Sequence, residues 1–219
     1  MELEGRVLLI NKPLEWTSFD VVNKLRYRLK TKKIGHAGTL DPLATGLLII
    51  CTGKMTKRID EFQAQEKEYT GKFVLGQSTT SYDLETPVSA PQDISLISES
   101  NIHSATQKFI GVIQQVPPMH SAIKVDGKRA YKLARKGKEV QLKAREVFIT
   151  EFEITSINKP VVAFRVVCSK GTYIRSLARD FGQALGTVAY LSELCRTRIG
   201  EFKLADALTI DQVLPLSIE

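Results

Sequence analysis

Apolar positions along this chain recur with two different periods, and the switches between them mark out the elements. Residues 7–10 form a short apolar run that predicts a buried strand. Thr17, followed three residues later by Asp20, has the form of a helix capping signal. The helix it opens would carry Val21, Val22, Leu25 and Leu29 on one face, with an almost entirely basic opposite face. Residues 47–51 are continuously apolar between Gly46 and Gly53, the pattern of a strand buried on both sides. Alternation returns at 69–75, 146–157 and 161–168, which predicts further strands, several of them paired antiparallel. Segment 83–101 is polar, holds two prolines and reads as a surface loop before a short helix over 108–113. Helical patterns follow at 129–135, at 172–185 with a cap near Thr172, and after Thr209, where Gln212 completes a capping box. With no internal repeat, low-complexity tract or Gly/Ser-rich linker, the pattern predicts one α+β domain over residues 1–219.

Charge changes the picture more than composition does. A chain of 219 residues, 43% hydrophobic and 25% charged, is ordinary for a globular protein with one sizeable core. Its net charge of +7 favours an anionic partner, because clustered Lys and Arg gain association free energy by releasing counterions from a phosphate backbone. The short run at 7–10 follows acids rather than a basic stretch, so neither a signal peptide nor a membrane span is expected, and the reading is cytoplasmic. Cys51, Cys168 and Cys195 are far apart and form no Cys-x-x-Cys pair, which points to buried thiols rather than a disulfide framework or zinc site.

Three stretches carry candidate chemistry. In GHAGTLDP, residues 35–42, Asp41 is the one carboxylate between Asp20 and Asp60, among nine lysines and arginines that include Lys57. Pro42 pushes Asp41 toward extended backbone, and Gly35, Gly38 and Gly46 allow sharp turns around it. An Asx-type turn leading into the next strand accounts for this; so does a carboxylate nucleophile or acid/base group in a groove that attracts a polyanion. Residues 124–145 hold nine further cations, Lys124 and Arg129 among them, interleaved with Tyr131, as in sites for looped or single-stranded RNA. In CSKGTYIRSLARD, residues 168–180, Arg175 could ion-pair with a catalytic acid and Tyr173 could meet a substrate, or both could be ordinary helix-surface residues.

Five ordered stretches together resemble the tRNA pseudouridine synthase B (TruB) family: NKPLEWTSFDVV from Asn11, KIGHAGTLDPLATGLLIICTGKMTK from Lys33, EYTGKFVLGQST from Glu68, VPPMHSAIKVDGKRAYKLARKG from Val116, and VCSKGTYIRSLARDFG from Val167. The resemblance implies a pseudouridine synthase fold, a mixed, mostly antiparallel central sheet flanked by helices and loops around an RNA-binding cleft. It implies isomerisation of uridine 55 in the tRNA T-loop to pseudouridine, without metal or cofactor. Asp41 would be the nucleophile, and Tyr69 would stack on the flipped-out uracil. Arg175 would pair with Asp41, while His36, Tyr173 and Leu194 would line the pocket. Lys12, Lys57, Lys124 and Arg129 would contact RNA, and the cations flanking Asp41 would form a tRNA-facing rim. The partner would be the T-loop and T-stem of tRNA, met by a monomer with no obligatory protein partner and no membrane association. Many longer relatives carry a C-terminal PUA domain, for which this chain leaves no room. Two departures from the family pattern stand out: Glu15, where many relatives have glycine, and Thr80 and Tyr82 ahead of Asp83, where an aspartate and a small residue are commoner.

Overall fold

The computed structural model describes residues 5–121, 124–125, 128–129 and 142–214. They divide into two compact units, one within Met1–Thr70 and Glu193–Glu219 and the other within Gly71–Ser192. Strands β4 (Lys67–Leu75) and β10 (Ala189–Ile199) each run from one unit into the other.

The first unit is built on β1 (Val7–Lys12) and β3 (Ala44–Thr52), antiparallel with Val7 opposite Cys51 and Lys12 opposite Gly46. Strand β2 (Ile34–His36) pairs with β3, β10 lies parallel to β3, and β11 (Phe202–Lys203) hairpins back onto β10. The apolar run in β3 is buried on both sides, as its sequence predicts. Leu48 and Ile50 face a cluster with Ile10 and helix α1 (Ser18–Arg28), while Leu47, Ile49 and Cys51 face another with Ala37, Phe62 and Ile199. Helix α1 opens with the expected reciprocal Thr17–Asp20 capping box and buries Val21, Val22, Leu25 and Leu29. A 3₁₀ turn (Gly53–Arg58) and helix α2 (Ile59–Ala64) lead into β4.

In the second unit the strand order is β10-β4-β9-β8-β5. Strands β5 (Gly111–Gln115), β8 (Arg145–Asn158) and β9 (Val161–Cys168) are antiparallel neighbours. Its core is a set of rings: Phe73 stacks on Phe164 with centroids 4.1 Å apart, and Phe109, Phe152 and Phe181 close around them edge-on or tilted. Helix α4 (Ile174–Ala184) packs Leu177 and Phe181 inward. Cys51 and Cys168 are buried, as expected, and Cys195 is half-buried.

Several elements differ from the sequence pattern. No helix spans 108–113: helix α3 (Glu99–Thr106) lies upstream, capped by a Ser98–Asn101 box, and Gly111, at φ 91°, turns the chain into β5. Of the apolar residues there, Phe109 is buried at the end of a 3₁₀ turn (Gln107–Phe109), and Val112 and Ile113 belong to the edge strand. Strand β10 escapes prediction because Leu191, Leu194 and Cys195 recur at helical spacing. The hydroxyl of Thr172 donates to the Ser169 carbonyl, and Tyr173 is the residue at the α4 N-cap. After Thr209 the capping box closes only a single 3₁₀ turn (Ile210–Gln212). Of the helix expected at 129–135, Arg129 sits in a two-residue strand, β7 (Lys128–Arg129), opposite β6 (Lys124–Val125); the rest lies outside the described residues.

Candidate functional site

Asp41 lies in the turn between β2 and β3, half-buried, with its main-chain carbonyl accepting from the Ala44 amide at 3.0 Å. Two buried cations hold that turn. Lys12 of β1 and Arg196 of β10 pair in register with the same residue of β3, Gly46, so the three positions form a row across adjacent strands. Gly46 is obligatory in that row: at φ 101°, a Cβ there would come within 2.3 Å of the Arg196 carbonyl oxygen.

From either side of Gly46 the long side chains reach the turn. Arg196, 1% exposed, donates through Nη2 to the Gly38 carbonyl (3.2 Å), through Nη1 to Thr39 (3.4 Å) and through Nε to Leu47 (2.8 Å). Lys12, fully buried, donates to the carbonyls of Pro13 (2.8 Å), Trp16 (2.6 Å) and Pro42 (3.3 Å). The Ser18 side chain at the start of α1 closes the set, accepting from the Leu40 amide at 2.8 Å and donating to its carbonyl at 3.2 Å. The main chain on both sides of Asp41 is therefore fixed by buried groups from three elements.

Electrostatics follows from this burial. Loss of water pulls the Lys12 ammonium down from 10.5 to about 8, while the Asp41 carboxylate pulls it up and Arg196 pushes it down. His36, in β2, is held below its ordinary value by burial and by the Arg196 charge, against a hydrogen bond with the Gly38 backbone, so it is neutral at physiological pH. Its Nδ1 is buried and has no hydrogen-bond partner among the described residues. The Lys12 ammonium and the Asp41 carboxylate attract one another, and a nearby cation favours the ionised, nucleophilic form of a carboxylate.

The sequence-predicted residues divide between the units. Asp41, His36, Tyr69, Leu194, Lys12 and Lys57 belong to the first. Tyr69 is buried in β4, and Leu194 is half-buried in β10, opposite Ala44 in the register. Lys57 is exposed on the 3₁₀ turn, as an RNA contact requires, whereas Lys12 is sealed beneath the Asp41 turn with its ammonium bound to carbonyls. The cations of residues 24–33 lie in the later half of α1, whose last residue is about 15 Å of helix from Ser18, or in the connection beyond it. The side chains of Lys124 and Arg129 lie outside the described residues.

Arg175 and Tyr173 belong to the second unit. Arg175, buried on α4, reaches Asp83 with Nε 3.5 Å from Oδ2 and donates to the carbonyls of His120 (3.0 Å) and Ser81 (3.4 Å). Asp83 is itself buried, and its Oδ1 accepts from the Glu85 amide at 2.9 Å. Gln115 clasps the Tyr173 main chain, accepting from its amide at 2.8 Å and donating to its carbonyl at 3.1 Å. Two of the three departing residues occupy left-handed backbone: Glu15 at φ 65°, its amide donating to the Pro42 carbonyl, and Tyr82 at φ 63°, its ring under the Arg179 guanidinium. Sequence reading missed Arg196, since an arginine in an unrecognised strand resembles any surface cation.

Comparison with known proteins identifies the family. Residues 26–174 match the family model described as TruB family pseudouridylate synthase (N terminal domain), and residues 175–218 match tRNA pseudouridylate synthase B C-terminal domain. The chain is 55% identical to tRNA pseudouridine synthase B of Phocaeicola vulgatus, over 95% of this chain and 91% of the relative. It is likewise 55% identical to the same enzyme of Flavobacterium johnsoniae, over 95% and 94%. Among solved structures it resembles a chain of a Cbf5-Nop10-Gar1 complex (TM-score 0.73, 31% identity, 94% of this chain and 53% of that one). It also resembles a chain of an H/ACA RNP bound to a substrate RNA containing 2'-deoxyuridine (0.71, 29%, 94% and 51%). The present chain thus spans about half the length of those solved chains.

Proposed function

This chain belongs to the TruB family of pseudouridylate synthases, and from that premise we propose that it isomerises uridine 55 in the T-loop of tRNA to pseudouridine, with Asp41 as nucleophile. The observation that carries the reading is the row Lys12–Gly46–Arg196, whose two buried cations hold the main chain of the Asp41 turn, Lys12 also attracting the Asp41 carboxylate.

The reaction needs little else. Asp41 attacks the nucleoside and the C1′–N1 bond breaks. The uracil is retained and turned, C5 bonds to C1′, the bond to Asp41 breaks, and the C5 proton is lost as N1 gains one. Atoms and electrons balance without an oxidant or a transferred group, so the chemistry calls for no cofactor. The target base must leave the stacked loop, and Tyr69 replaces the lost stacking while its phenolic oxygen takes a proton from the sugar as the C1′–N1 bond breaks and returns it as C5 bonds to C1′. His36 and Leu194 are assigned the shaping of the uracil site, while Arg175 is held by Asp83 within the second unit. Lys57, Lys124 and Arg129 are assigned to RNA phosphates. The enzyme acts on tRNA as a cytoplasmic monomer without a protein partner. Among the described residues no helix is long and apolar enough to cross a membrane.

Tritium release from a tRNA transcript labelled at uracil C5 tests the reading. Wild-type protein releases label and Asp41→Asn does not, while both bind the tRNA. Equal release by both removes Asp41 from the chemistry; release by neither leaves a protein that only binds RNA.

A further inference from the structure

The cations that the fold carries away from Asp41 gather around an exposed ring. Tyr27, 87% exposed, stands in the last turn of α1 between Arg26 and Arg28, and a surface depression there is lined by these three with Lys30, Thr31 and Lys32. The helix closes its own end. The Thr31 amide donates to the Arg26 carbonyl and the Lys30 amide to Tyr27, both at 3.2 Å, the two bonds of a Schellman motif. The left-handed position of that motif favours glycine, yet here it holds Lys30 at φ 49°. The Lys33 carbonyl then accepts from the Gly53 amide, which joins this surface to the 3₁₀ turn carrying Lys54 and Lys57. Among the described residues, none of Lys24, Lys30, Lys32, Lys33 and Lys54 lies within 4 Å of a carboxylate.

Cations at a helix C-terminus are favoured by the helix dipole. That accounts for part of the charge, but not for a tyrosine ring left in water, nor for a lysine in a glycine conformation. We propose that the last turn of α1 and the connection after it are a second RNA-binding surface, at which Lys30, Lys32 and Lys33 take backbone phosphates and Tyr27 stacks an unpaired base. A cationic rim with an aromatic platform is the arrangement that binds single-stranded or looped RNA. An anionic membrane fits less well, because Tyr27 is the one large exposed hydrophobic side chain among the residues lining the patch. Tyr27 lies about 14 Å of helix from Ser18, which touches the residue before Asp41, so the surface meets a part of the RNA other than the reacting nucleotide. The proposal rests on the reading that this chain acts on RNA.

The test measures tRNA affinity across a salt series together with tritium release at saturating tRNA. It compares wild type, the combined Lys30→Ser, Lys32→Ser, Lys33→Ser variant, Tyr27→Ser, and a control set removing equal charge elsewhere (Lys108, Lys159 and Lys203 to Ser). The expected result is about tenfold weaker binding for the triple variant, with a log-log salt slope shallower by about 2. Tyr27→Ser is expected to bind several-fold weaker at an unchanged slope, and release at saturation is unaltered throughout. Wild-type binding matched by both variants, or an equal loss in the control set, overturns the proposal and leaves the enzymatic reading intact. Variants that keep tRNA affinity but lose binding to phosphatidylserine vesicles assign the patch to a membrane surface and overturn it too. A wild type that neither binds nor modifies tRNA removes the reading on which the proposal stands.

Discussion

The guanidinium of Arg196 donates to the carbonyl of Gly38 at 3.2 Å, three residues ahead of the carboxylate assigned to the chemistry. Together with its bonds to Thr39 and Leu47, this makes a buried arginine the brace of the Asp41 turn. Lysine cannot reproduce the planar fork. Arg196→Lys is expected to slow single-turnover release by on the order of a hundredfold, as small misplacements of reacting groups do. tRNA affinity is expected to stay near wild type. A comparable loss of affinity and rate would mean that Arg196 serves binding or folding at large.

Glu15 offers a test in the opposite direction. Its left-handed backbone costs roughly 1–2 kcal/mol relative to glycine, less the extra chain entropy that glycine brings to the unfolded state. Glu15→Gly is therefore expected to stabilise the protein by about 0.5–1 kcal/mol in chemical denaturation, with the amide bond to Pro42 kept. A loss of stability would show that the Glu15 side chain does something the backbone does not reveal.

In the second unit, Arg175 and Asp83 are both buried, so removing either partner strands the other. Asp83→Asn and Arg175→Met are each expected to cost about 3–5 kcal/mol. The double variant should cost clearly less than the sum, by 1 kcal/mol or more. Additive losses would show that the pair is not energetically coupled.

Lys12 gives a pH signature. Its folded value of about 8 lies below its ordinary 10.5, so between those limits the unfolded chain binds more protons and stability rises with pH. Below about pH 8 both states are charged and the full burial cost is present. Unfolding free energy measured from pH 7 to 10.5 is expected to rise for wild type relative to Lys12→Met, by an amount on the order of 3 kcal/mol. Parallel curves would mean that Lys12 keeps its proton in the fold.

Local signals in the chain were enough for much of the fold. The Thr17–Asp20 cap and the spacing of Val21, Val22, Leu25 and Leu29 specify α1, and the unbroken run at 47–51 specifies a strand with both faces covered, because periodicity and capping act over a few residues. Asp41 and the GTLDP turn could likewise be singled out from the chain alone, since a lone carboxylate between glycines and before a proline is a local pattern. What surrounds Asp41 was decided by tertiary structure. In sequence its neighbours are the cations of 24–33, but helix rise carries most of them away. Lys12 and Arg196, 184 positions apart, arrive beside it only because β1 and β10 both register on Gly46. Strand pairing joins residues without regard to their separation in the chain, so the convergence of Lys12 and Arg196 on the Asp41 turn had no local signature.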